Sequence, residues 1–142
     1  MIDTSERAQL LAAAPRAELL DLADRCLAET PDPEILAGPE VGTVVLNVRE
    51  PVESIRFQLG DVLTTRCEVR HRQAQGWAMR LGDDRPGALA AAVCDAEYSA
   101  DGPHADEVAR LCTKTAASMA RERALEWSEL EPTIVAFEEL DL

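Results

Sequence analysis

The spacing of apolar residues changes twice along this chain, and that change limits the folds open to it. Up to about residue 29 the apolar positions recur at helical intervals. From about 43 to 81 they alternate, and from about 84 to 130 the helical interval returns. In "DTSERAQLLAAA" Asp3 is placed to cap a helix, with Glu6 three residues later completing a capping-box pair. "PRAELLDLADRCLAE" sets Leu19, Leu22, Ala23 and Cys26 on one buried face. Pro15 between the two pieces fits either a helical hairpin or one helix bent at the proline. "TPDPEILAGPEVG" then stops the helix, with a short helical turn expected over Pro33 to Leu36.

The alternating region reads as four short strands. "TVVLNVRE" carries Val44, Leu46 and Val48 on one face and is closed by Pro51. "SIRFQL" sets Ile55, Phe57 and Leu59 against Arg56 and Gln58. "VLTTRCEVRH" has Leu63, Thr65, Cys67, Val69 and His71 on one face and Arg66, Glu68, Arg70 and Arg72 on the other. "GWAMRL" offers Trp77, Met79 and Leu81 opposite Ala78 and Arg80. Turns at Gly60-Asp61 and around Gln75-Gly76 make the last three strands a meander. An odd-length loop with a bulge at Gly60 keeps the two apolar sets on one face, since a one-residue slip inverts every side chain.

"DDRPGALAAAVCDAEYSA" opens with acids and proline and spaces Leu89, Val93 and Ala96 as a helix does. "ADEVARLCTKTAASMARERALEW" is a second amphipathic helix with Val108, Cys112, Ala116 and Met119 as its seam. Beyond Pro132, "PTIVAFEEL" is short and β-branched and fits a final strand. The expected fold class is therefore α+β: an antiparallel β-meander sheet packed against N-terminal and C-terminal helices, with a short C-terminal strand. A chain of 142 residues suits a single domain over 1–142. Its parts are helices at about 4–29, a sheet at about 43–81, helices at about 84–130 and a strand at about 133–138.

Chemistry is harder to find. "RCEVRHR", Arg66 to Arg72, gathers ligand types and cations, but Cys67 and His71 lie on a strand where four residues span roughly 13 Å. One zinc ion needs its ligands within about 2.3 Å, so this pair cannot share it. The other candidates, His104 and the scattered Cys26, Cys94 and Cys112, follow no metal-ligand spacing, and no metal or cofactor motif is present. Asp83-Asp84 and Asp21-Asp24 are explained as acidic helix starts and solvated faces. Arg56, Arg66, Arg70 and Arg80 are expected on like faces of neighbouring strands. They could hold a phosphorylated metabolite, meet the carboxylates of a partner protein, or form an ordinary solvated sheet face. The net charge of −13 disfavours nucleic acid and anionic membranes. The N-terminus lacks a signal-peptide pattern, no apolar run is long enough to span a membrane, and four dispersed cysteines suit buried thiols in a reducing cytoplasm.

One resemblance narrows these classes. Arg56 to Ala96 carries a phenylalanine before Gly60-Asp61, then Thr65-Arg66, Val69-Arg70, Gly76-Trp77, Leu81-Gly82 and an alanine-rich helix ending near Asp95. In this order and spacing the segment resembles the PhnG subunit family of the carbon–phosphorus lyase system of phosphonate degradation. The similarity extends more weakly over nearly the whole chain, through "RAELLDLA" and "TIVAFEEL". The resemblance implies a cytoplasmic bacterial subunit working with PhnH, PhnI, PhnJ and PhnL type proteins. It implies a part in replacing the adenine of ATP by methylphosphonate, giving α-D-ribose 1-methylphosphonate 5-triphosphate. It supplies no catalytic residue, and the chemistry would belong chiefly to the PhnI-type chain. Thr133 to Phe137, or the outer sheet face, is then the expected contact with that chain. A stand-alone phosphate-binding module and an unrelated interaction domain remain the competing classes.

Overall fold

The computed structural model describes residues 1–133. Helices α1 (Thr4–Ala13) and α2 (Arg16–Glu29) lead into strands β1 (Glu34–Arg49), β2 (Arg56–His71) and β3 (Ala74–Leu81). Helices α3 (Arg85–Ser99) and α4 (Ala105–Leu130) follow, with one 3-10 turn at Glu131–Thr133. The strands form an antiparallel sheet in the order β1-β2-β3. The fold is α+β, as the change of apolar period requires. The final strand expected near 133–138 falls, beyond Thr133, outside the described residues.

Two separate helices meet at the proline. Ala14 and Pro15 are both extended, so α1 ends and α2 begins afresh. Asp3 does precede α1, and its carbonyl accepts from the Arg7 amide at 2.8 Å, but its carboxylate makes no capping bond. The expected capping box of Asp3 with Glu6 is therefore not formed.

Helix α3 lies against both β2 and β3 and also meets α1, α2 and α4. Ala88, Ala91, Ala92, Val93, Cys94 and Ala96 are all buried, so the helix is covered around most of its girth. Small side chains permit that approach. Gly76 on β3 faces Ala92 and Ala96 so closely that a Cβ there would collide with the α3 backbone. Leu11, Leu19, Leu22 and Cys26 close the core from the other helices, with Val108 and Cys112 from α4.

Three expectations about the sheet are corrected. The strand begins at Glu34 rather than near 43, so Pro33 to Leu36 forms no helical turn. β1 is an edge strand whose register shifts around Ala37 and Glu40 leave Gly38 and Pro39 outside the ladder, where proline's missing amide is tolerated. Gly38, at φ +69°, holds a backbone crowded against the Arg66 carbonyl. Next, Gly60-Asp61 is no turn: "SIRFQL" and "VLTTRCEVRH" run together as β2, with Gly60 opposite Leu46 and Asp61 opposite Val45. A bulge does fall here, between Leu46 and Asn47, but inside the strand pair. The reversal lies at Pro51–Ser54, where the Glu50 carboxylate accepts from the amides of Val52 and Glu53 at 2.7 and 2.8 Å. The third correction moves the β2–β3 turn to Arg72-Gln73, with His71 opposite Ala74. Both turn residues have positive φ, 50° and 64°, the type I′ geometry that matches strand twist.

That unusual turn for non-glycine residues is held by one carboxylate. Glu97, fully buried on α3, accepts from Arg72 Nε at 2.8 Å, His71 Nε2 at 2.7 Å and the His104 amide at 3.1 Å. Burial alone would raise its pKa, but the bonds from His104, His71 and Arg72 outweigh that and hold it below the ordinary 4.5. A carboxylate with a lowered folded-state value stabilises the protein above pH 4.5 and loses that contribution as pH falls through the folded value. Glu97→Gln should therefore cost about 2–4 kcal/mol at neutral pH. The gap to wild type should close in acid, as read by urea unfolding at a series of pH values.

Candidate functional site

The sheet is longer than the layer that covers it. β3 pairs with β2 only from Thr64 to His71, and the buried residues of β2 lie in that same stretch. From Arg56 to Leu63 β2 has only β1 for a neighbour, paired from Thr43↔Leu63 out to Arg49↔Arg56. Eight residues at the usual strand rise make a two-stranded arm roughly 25 Å long. Two-stranded ribbons are marginal in water by themselves.

Side-chain alternation sorts the arm into two faces. Val44 and Val62 are paired, as are Val48 and Phe57, and Leu46 lies opposite Gly60. These positions make an apolar face on the side turned away from α3, and Phe57 remains 44% exposed on it. The stripe runs into a cleft of about 360 Å³ where Val44, Leu46 and Val62 meet Met79 and Leu81, bounded by Ala8 and Ala12 of α1. The opposite face carries Leu63 with Thr43, then Val45 with Asp61, and is polar further out, through Asn47 with Gln58 and then Arg49 with Arg56. Val52, 86% exposed, and Ile55 stand at the tip.

The four arginines singled out from sequence do not form one patch. Arg66 lies opposite Glu40 and bonds its carboxylate at 2.8 Å; Arg70 does the same with Glu34 at 2.6 Å. Arg56 is ten residues from Arg66 along β2, roughly 33 Å, too far to share one triphosphate. Arg80 departs from the expected face. It pairs with Thr65 on the α3 side, and its Nη1 donates to the carbonyls of Leu11, Ala12 and Ala14 at 2.9–3.1 Å. Its Nε donates to Asp84 at 3.2 Å, so this guanidinium caps the end of α1. Burial raises the Asp84 pKa, and bonds from Arg16, the Gly87 amide and Arg80 bring it below its ordinary 3.8.

Sequence reasoning missed the buried ion pairs. Asp95 accepts from Arg7 Nε at 2.6 Å and from the Trp77 amide at 2.9 Å, while the Arg7 guanidinium lies 4.6 Å from the Tyr98 ring centre. Two acids, Asp95 and Glu97, inside the run Ala88 to Ala96 and its end were the available signal. The His71 and Glu97 side chains are wholly inaccessible, so this cluster is closed to substrate. The cysteines offer little either. Burial pushes Cys67 and Cys112 up to about 11, and a hydrogen bond with Cys26 together with burial holds Cys94 high. Among the described residues no helix is long and apolar enough to cross a membrane.

Fold and surface together define a small α+β protein with an exposed, apolar two-stranded arm. The chain belongs to the PhnG family: residues 4–141 match the family described as "Phosphonate metabolism protein PhnG". Membership gives the chain a role in phosphonate metabolism. None of the curated proteins compared matches it.

The different placements of the arginines are separable by stability. Arg80→Ala should cost about 2–4 kcal/mol, because three carbonyls and Asp84 lose a largely buried donor. Arg66→Ala and Arg70→Ala, in exposed pairs, should each cost under about 1 kcal/mol. Denaturant midpoints of the three variants check the order.

Proposed function

We propose that this chain is an accessory subunit of the carbon–phosphorus lyase complex, contributing shape and contact surface while another chain makes the new bond. Its companions are PhnH, PhnI, PhnJ and PhnL type proteins in the cytoplasm. The reaction served is formation of α-D-ribose 1-methylphosphonate 5-triphosphate. In it a phosphonate oxygen takes the place of adenine at the ribose C1′ of ATP, and adenine leaves. The assembly is thereby a transferase in which this chain is one part.

The match to the family over residues 4–141 carries this reading. The exposed arm supports it, since contiguous apolar surface on a soluble protein marks a site of association. The arginines fit the same picture better than a metabolite module: Arg66 and Arg70 are already matched by Glu40 and Glu34, and Arg56 lies out on the arm beside Arg49, far from both. A single domain over 1–142, including Thr133 to Phe137 as a further contact, belongs to this proposal.

Reconstitution tests it. With ATP and methylphosphonate, the mixed companion subunits should form the ribose 1-phosphonate product only when this chain is present, as read by phosphorus NMR. The isolated chain should form none. Turnover of ATP by the purified chain, or full product formation in its absence, would count against the proposal.

A further inference from the structure

The arm combines two observations that together describe what covers it. Its α3-averted face is apolar from the cleft at Val44 and Val62 to Val48 and Phe57. On its other face Arg49 and Arg56 are direct cross-strand partners, an arrangement of like charges that costs stability in a sheet. The remaining arginines of the sheet and its turn, Arg66, Arg70, Arg72 and Arg80, each meet a carboxylate. Arg49 and Arg56 meet none among the described residues. A chain with net charge −13 has acids to spare, yet leaves this pair without one.

We infer that the arm inserts into a cleft of a different polypeptide, one apolar along the wall facing Leu46 and Phe57 and carboxylate-bearing opposite Arg49 and Arg56. Apolar contact supplies most of the burial, and the carboxylates fix depth and register through bidentate guanidinium bonds. A second copy of this chain fits poorly. Two-fold packing of the apolar faces would leave both arginine pairs, on the opposite faces, without a carboxylate. Partner carboxylates remove the repulsion that the free arm carries, so the arm is better ordered in the complex than alone.

The inference rests on the subunit reading proposed above, and its test separates the two. The full chain is co-expressed with the companion subunits as wild type, as Arg49→Glu/Arg56→Glu, and as Leu46→Asp/Phe57→Asp. Both double variants should retain the wild-type unfolding midpoint within the range of surface substitutions, because the side chains lie outside the core. Both should bind the companions at least tenfold more weakly. In a third variant, Arg49→Lys/Arg56→Lys, the introduced amines should couple under a zero-length carbodiimide to Asp or Glu of a companion. Peptide mass spectrometry then locates the site.

Retention of companions by wild type and by both arm variants alike overturns the arm inference while leaving the subunit reading intact. Cross-links to a second copy of this chain also overturn it. A wild-type chain that retains no companion overturns both.

Discussion

Two carboxylates on one helix organise this protein. Asp95 and Glu97 are both buried near the C-terminal end of α3, and each is satisfied by donors from elements distant in sequence. Asp95 joins the first helix, through Arg7, to the edge strand β3, through the Trp77 amide. Glu97 joins the β2–β3 turn to the start of α4. A buried acid left without partners is costly, whereas one that is fully bonded fixes a single arrangement of its neighbours. The alanine-rich surface of α3 brings sheet and helices close. The two acids decide how they are oriented.

This division explains why the molecule has a firm end and an open one. Everything Asp95 and Glu97 reach is packed, and the buried half of β2 lies over α3. Beyond Thr64 no helix follows the sheet outward, and β1 and β2 continue with only each other for support. Arg80 sits at this boundary, tying the end of α1 to Asp84 at the head of α3. The covered part therefore has its own network of polar anchors, and the arm has none beyond the turn around Glu50.

Much of the covered part was legible in the sequence. Helical spacing marked Leu19, Leu22 and Cys26, and proline after paired acids marked the start of α3, where Asp84 does cap the Gly87 amide. The strand faces of Thr65, Cys67, Val69 and His71 followed from alternation. What failed were the reversals. Gly60-Asp61 has the residue types of a turn, but a glycine beside a bulge, here next to the unpaired Leu59, serves the same chemistry within a continuous strand. The true reversals use Glu50 side-chain acceptors and a positive-φ Arg72, the latter held from α3, which local sequence does not encode. The arginines were misjudged for a related reason: alternation located Arg66 and Arg70, but their match to Glu40 and Glu34 depends on a β1 register set by bulges.

The stretch Thr43 to Val48, "TVVLNV", has a further consequence. It is six residues of strand-forming sequence without charge or proline, on an edge strand that nothing among the described residues covers. Segments of that kind seed cross-β stacking when copies meet. Mutual repulsion between strongly anionic chains is what keeps such encounters rare, and salt weakens it over a Debye length of about 8 Å. Self-association of the free chain through this strand is thus set by its charge as much as by its strand-forming residues.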